Sequence, residues 1–198
     1  MVWLCLGLLV FLGTHSVRIF ADGWRGEQLA RRGEATWKGL YSLLSGLGLV
    51  LIVVGYGQAR AVQADLWLAP IWMRHITALL MLPVFVLLTA AYVPGNRIRA
   101  RLKHPMVLSV KLWAFAHLLC NARPAELLLF GSFLLWAVLD FRSARARPMP
   151  SGTATSAGSA SRDAVVLLIG LLAWIGFAFW GHQALIGVAP FAHVSHGG

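Results

Sequence analysis

In a chain of 198 residues, 59% hydrophobic and 12% charged, the balance departs from an ordinary soluble domain, where about 45–50% and about 25% are usual; this composition belongs in a bilayer. The formal net charge of +10 would suit nucleic acid only if the basic residues shared one solvated face. They sit instead in short bursts between long apolar runs, which excludes a nucleic-acid partner.

Taken in order, the chain opens on "MVWLCLGLLVFLGTHSVRIF", with no basic region ahead of the apolar stretch and no small-x-small cleavage site behind it. A signal peptide needs both, so residues 2–20 are expected to stay as a membrane span. Crossing a hydrocarbon core takes roughly 20 mostly apolar residues in a helix. Residues 37–57, 71–93, 124–141 and 163–186 also meet or approach that length, and the shorter run 105–121 completes a set of six. Because irregular backbone and open sheet edges cannot face lipid, the expected fold is all-α, a polytopic transmembrane helix bundle of about six spans. Cys5 and Cys120 both lie in apolar stretches outside any C-x-x-C pattern, which speaks against a disulfide scaffold or a zinc site.

Loop charge gives the orientation. Arg18, Arg25, Arg31, Arg32 and Lys38 follow span one; Arg97, Arg99, Arg101 and Lys103 follow span three; Arg142, Arg145, Arg147 and Arg162 follow span five, so 13 of the 17 basic residues fall in alternate loops. By the positive-inside rule these loops are cytoplasmic and both termini lie outside. Residues 143–162 are rich in Arg, Pro, Gly, Ser and Ala, with too few large apolar side chains for a core. They read as a flexible cytoplasmic linker between a five-span bundle, 1–142, and the sixth span with its short external tail, 163–198. The linker is no domain boundary, since a lone span has nothing to bury against.

Ionisable groups at membrane depth cost roughly 2.5–3.5 kcal/mol each on insertion scales and so raise functional hypotheses. His104 with Pro105 reads as a helix start at the headgroup level, and Lys111 can snorkel along its apolar stem. Arg74, His75 and His182 fall at span ends, where amphipathic residues collect. His15 and His117 lie deeper. In span four Trp113, His117 and Asn121 recur at every fourth position and share one face. Two readings of His117 stay open: a neutral histidine bonding across helices, or an axial ligand to haem iron in an apolar slot of the bundle. If His15 is not the partner ligand, His75 or His182 takes its place.

Other chemistry is disfavoured. H-E-x-x-H, G-x-S-x-G and the phosphate-loop pattern are all missing from the sequence. Glu126 and Asp140 stand too far apart on one helix to act as a carboxylate pair. The glycines of "GLGLVLIVVG" in span two read as helix packing. A small-molecule transporter would be expected to show paired half-repeats and interrupted helices, and neither is seen.

The stretches "THSVRIF", "RRGEATWKGLYSLLSGLGLVLIVVGYGQAR", "RLKHPMVLSVKLWAFAHLLCNARP" and "GHQALIGVAP" together resemble the NnrU family, over nearly the whole chain apart from 143–162. The span-four motif, HP followed by LWAxAHLL and Asn, is the most specific part. The resemblance implies a bacterial polytopic protein of the inner membrane, with the two outside termini then periplasmic, associated with denitrification and nitrite or nitric oxide metabolism. The family is also similar to 15-cis-zeta-carotene isomerase, which carries haem b; that similarity implies His15 and His117 as haem ligands. Where the isomerase has a cysteine after the tryptophan, this chain has Ala114, so a ligand switch through that thiol is not available. Two functions follow as expectations. One is haem b binding for a redox or cis-trans isomerisation step, with a respiratory reductase partner or a hydrophobic small-molecule substrate. The other is a non-catalytic assembly or maturation factor for a respiratory reductase.

Overall fold

The computed structural model describes residues 1–147 and 158–191. Its elements are α1 (Val2–Phe20), α2 (Asp22–Arg32), α3 (Glu34–Val62), α4 (Ile71–Tyr92), α5 (Arg97–Leu102), α6 (Pro105–Cys120), α7 (Pro124–Ala146), α8 (Ala160–Gly176), a π-helical turn (Phe177–Gly181) and α9 (His182–Ile186). Helices α1, α3, α4, α7 and the continuous run Ala160–Ile186 are long and apolar enough to cross a membrane. Their exposed faces carry side chains such as Leu9, Leu43, Val53, Leu79 and Leu168, a surface that water would penalise and acyl chains accept. The chain is therefore a multi-pass membrane protein built as a helix bundle. Helix α6, with 16 residues, spans only about 24 Å at 1.5 Å per residue, short of the roughly 30 Å core.

The spans group by packing into two compact units, Met1–Leu68 with Asn121–Pro148, and Ala69–Cys120 with Met149–Gly198. The first holds α1, α2, α3 and α7; the second holds α4, α5, α6 and α8 to α9. This differs from a grouping by chain order. The sixth span packs within the second unit against α4, which supplies the surface it needs to bury against. The linker expected over 143–162 is also shorter at both ends, since α7 runs on to Ala146 and α8 starts at Ala160. Residues 148–157, its middle, lie outside the described part, as does the end of the expected external tail, 192–198.

In the first unit α1 and α3 run antiparallel at close range. A Cβ on Gly7 would stand 2.5 Å from the Ile52 amide nitrogen, one on Gly48 2.7 Å from that of Phe11, and one on Gly55 2.2 Å from that of Leu4. Each approach is shorter than real Cβ contacts, so hydrogen is the only side chain that fits. The reason is solvent: lipid is as apolar as leucine, so helices gain by backbone proximity and packing rather than by hiding apolar surface. Along α3 the positions Gly48, Ile52, Gly55 and Ala59 are buried, at alternating spacings of four and three. That period makes one seam down the helix. At the far end of the seam the loops are pinned by polar contacts. The Glu126 carboxylate accepts from the amides of Ala122 and Arg123, both at 3.1 Å. Arg123 reaches Asp65 at 3.0 Å and the Arg60 carbonyl at 3.1 Å, and Gln63 accepts from the Ala125 amide at 2.8 Å.

In the second unit Asn96, 1% exposed, donates to the carbonyls of Ala90 and Val93 and accepts from the Arg99 amide. It thereby caps α5 and satisfies the end of α4. Arg97 ties this corner to α8, its amide donating to Asp163 and its Nε to the Gly158 carbonyl, each at 2.7 Å. Midway along α4, Thr77 donates to the Ala116 carbonyl at 2.8 Å and Trp174 to the Ala78 carbonyl at 2.9 Å, so α4 is bonded on one side to α6 and on the other to α8.

Gly48→Ala and Gly55→Ala are each expected to destabilise the fold by about 3 kcal/mol, the upper end of overpacking costs, read as a lower unfolding midpoint in detergent. Gly57→Ala, where an added Cβ meets nothing within 4 Å, is expected to be neutral or to stabilise by up to about 1 kcal/mol through helix propensity. Equal effects at all three positions would contradict the seam.

Candidate functional site

Each unit carries a histidine set inside its helices. In the first, His15 sits one step beyond Phe11 along the α1 side of the seam. Its Nδ1 donates to the Phe11 carbonyl at 2.7 Å, because the acceptor is a carbonyl and the ring nitrogen must carry the hydrogen. When neutral, the ring then holds its lone pair on Nε2. Three aromatic rings enclose it: Phe11 stacked at 4.3 Å, Tyr41 edge-on at 5.1 Å and Trp136 at 6.0 Å and 90°. Trp136 comes from α7. Its Nε1 is buried with no hydrogen-bond partner among the described residues, as is the hydroxyl of Ser45, one turn beyond Tyr41 along α3.

In the second unit His117 repeats the arrangement, with Nδ1 donating to the Trp113 carbonyl at 2.9 Å and the two rings 5.4 Å apart. Its chain neighbour Ala116 supplies the carbonyl that Thr77 bonds, which fixes the level of this part of α6 against α4. His182 comes directly after the π-helical turn and donates Nδ1 to the Val188 carbonyl at 2.6 Å. Its ring meets Phe177 edge-on at 5.7 Å. A π turn inserts one residue into the helical register and so re-aims the side chains beyond it, and such turns concentrate at functional sites.

The other residues singled out in the sequence take up separate positions. His104 ends the α5–α6 connection, and its carbonyl takes the first helical bond, from Leu108 at 3.2 Å, so it marks the start of α6. Lys111 is half-buried on α6, and His75 is exposed on the first turns of α4. Asn121 comes directly after the end of α6 at Cys120. Packing places His117 and His182 in one unit and His15 in the other.

Among the described residues no group of three or more His, Cys, Asp or Glu converges as a site for a bare metal ion. Each histidine is a lone imidazole donor, the kind that a porphyrin-bound iron, with its equatorial positions already filled, takes from protein. A hydrogen bond from Nδ1–H to a backbone carbonyl fixes the tautomer and ring orientation that an Nε2 ligand needs. His15, His117 and His182 all have it. Sequence inspection missed Trp136 beside His15 and the π turn before His182. The first comes from another helix, and nothing local in "FAFWG" marks the second.

No curated protein and no solved structure matches the chain significantly. The family model described as NnrU protein matches residues 3–190, which takes in both units, both histidine settings and the seam, and the chain accordingly belongs to the NnrU family.

Proposed function

We propose that this NnrU-family protein binds haem b through His117 and serves a redox or isomerisation step linked to nitrite and nitric oxide metabolism in the bacterial inner membrane. The observation that supports the reading is the His117 Nδ1–H bond to the Trp113 carbonyl, under which Nε2 would be the ligating nitrogen. His182, held in the same tautomer within the same unit, is the second axial candidate; His15 is the one that the family resemblance implies. When bound, haem b supplies a one-electron couple or a Lewis-acidic iron. The chain's own part is to hold the imidazoles in register and keep water out of an apolar surround, since Thr77 and Trp174 lock α6 and α8 onto α4. The link to denitrification rests on family membership.

Protein purified from cells supplied with haem is expected to show a b-type reduced-minus-oxidised spectrum and a positive pyridine haemochrome. His117→Ala should abolish or shift it. Of His15→Ala and His182→Ala, the one that removes the second ligand should convert a low-spin six-coordinate spectrum to a high-spin one. A protein that stays colourless would overturn the haem assignment, and co-purification with a respiratory reductase would then favour the assembly-factor role.

The orientation follows from loop charge. An alkaline phosphatase domain inserted between residues 63 and 70, or fused to the C-terminus, is expected to be active. Inserted in 148–157 it is expected to be inactive. The inverse pattern would reverse the topology.

A further inference from the structure

The first unit contains a groove that the histidines do not use. Its volume is about 310 Å³, at the lower end of small-molecule sites, which run from about 300 to 1,000 Å³. It lies between the end of α1, the whole of α2 and the start of α3. From α2 come Trp24, Gln28 and Arg32, spaced by four and so on one face of that helix. Trp37 and Tyr41 face them from α3, and Gly13 opens the α1 wall. The aromatic entrance is built by Trp24 and Trp37, edge to face at 5.8 Å, the kind of amphipathic pair that settles at headgroup depth.

Two polar side chains line this groove. Gln28 is only 8% exposed and lines it from α2, so that its carboxamide offers a donor and an acceptor at the wall. Arg32 also lines the groove and makes no ion pair among the described residues, whereas its neighbours are paired: Arg25 with Asp22 at 3.6 Å and Lys38 with Glu34 at 2.7 Å. The negative end of α2 lies beside Arg32, but the positive end of α3 comes immediately after Gly33, so the two helix ends offset each other and the guanidinium decides the local sign. Farther in, Val17 and Leu44 give the walls an apolar character, and a Cβ on Gly13 would meet nothing within 4 Å, which shows open space at that depth.

From this arrangement we infer that the α1–α2–α3 groove is a binding site for an anionic phospholipid, with the headgroup phosphate on Arg32 and Gln28 and the upper part of one acyl chain between Val17 and Leu44. Arginine presents a planar fork that matches phosphate oxygens, and Gln28 adds an amide donor. The volume suffices for a phosphate and a short length of chain, and the remainder of the lipid stays in the surrounding bilayer. Helix α2 is thereby given a function beyond carrying loop charge: it is the lid strip under which the headgroup sits.

The full chain in detergent, probed by native mass spectrometry with phosphatidylglycerol and with phosphatidylcholine of the same chains, tests this. Phosphatidylglycerol is expected to be retained about tenfold more strongly, the scale of one good charge-assisted contact. Arg32→Gln should remove that preference, and Gly13→Leu, which fills the groove from an open position, should lower retention of the lipid. Arg31→Gln removes the same charge outside the groove and should change retention by less than about twofold. Equal retention of the two lipids, or equal loss in Arg31→Gln and Arg32→Gln, would overturn the site. Displacement of phosphatidylglycerol by inorganic phosphate at millimolar level would show a free-anion site and overturn the lipid assignment. If Gly13→Leu fails to fold, the arginine pair still decides the matter, since both positions are exposed.

Discussion

The glycine contacts between α1 and α3 are the constraint on which the first unit depends. With Gly7, Gly48 and Gly55 each placing bare backbone against backbone, the two helices have one register available to them. That register carries the seam down to His15 and brings Tyr41 of α3 to its level. It also fixes where α1 ends and α3 begins, hence where the intervening α2 must lie and what groove it covers. In a bilayer this kind of contact is the effective one, because apolar side chains gain little by leaving lipid for protein. A leucine at any of the three positions would separate the helices and disperse both the aromatic cage around His15 and the groove wall.

The second unit is held together differently. Its glycine contact, Gly170 against Val86, is supplemented by side-chain to backbone bonds at membrane depth, from Thr77 to α6 and from Trp174 to α4. At one end Asn96, Arg97, Gly158 and Asp163 form a polar corner in which nearly every donor goes to a carbonyl or carboxylate. Polar bonds fix the level of one helix against another more narrowly than apolar packing does. The histidines of this unit lie on the elements so fixed, His117 one residue beyond the carbonyl that Thr77 bonds and His182 eight residues beyond Trp174 and past a π turn.

Basic residues serve two purposes in this chain, and loop charge counts only one of them. Arg97, Arg99 and Arg162 belong to the loops rich in positive charge, yet each also donates to a backbone group. Arg60 and Arg123 belong to the poorly charged loops, where Arg123 and the Arg60 carbonyl help close the junction of α3 with α7. Arg32 belongs to the positively charged loop after α1 and also lines the groove beside it.

The sequence by itself determined the long spans, the all-helical class, the start of α6 at Pro105 and the family. These depend on long apolar runs, on proline's missing amide and on motifs spread along the chain, all of which are local or composite properties. It did not reveal α2, because "DGWRGEQLARR" is polar and glycine-punctuated, and its helical face of Trp24, Gln28 and Arg32 has meaning only against α1 and α3. Nor did it show that the sixth span packs with α4, that Asn121 lies past the end of α6, or that Trp136 stands beside His15 across 121 positions of chain. Span membership follows from transfer of each segment into lipid, which a segment decides alone. Neighbours follow from which backbones can approach closely and which donors find carbonyls, and that is settled only when the helices are packed.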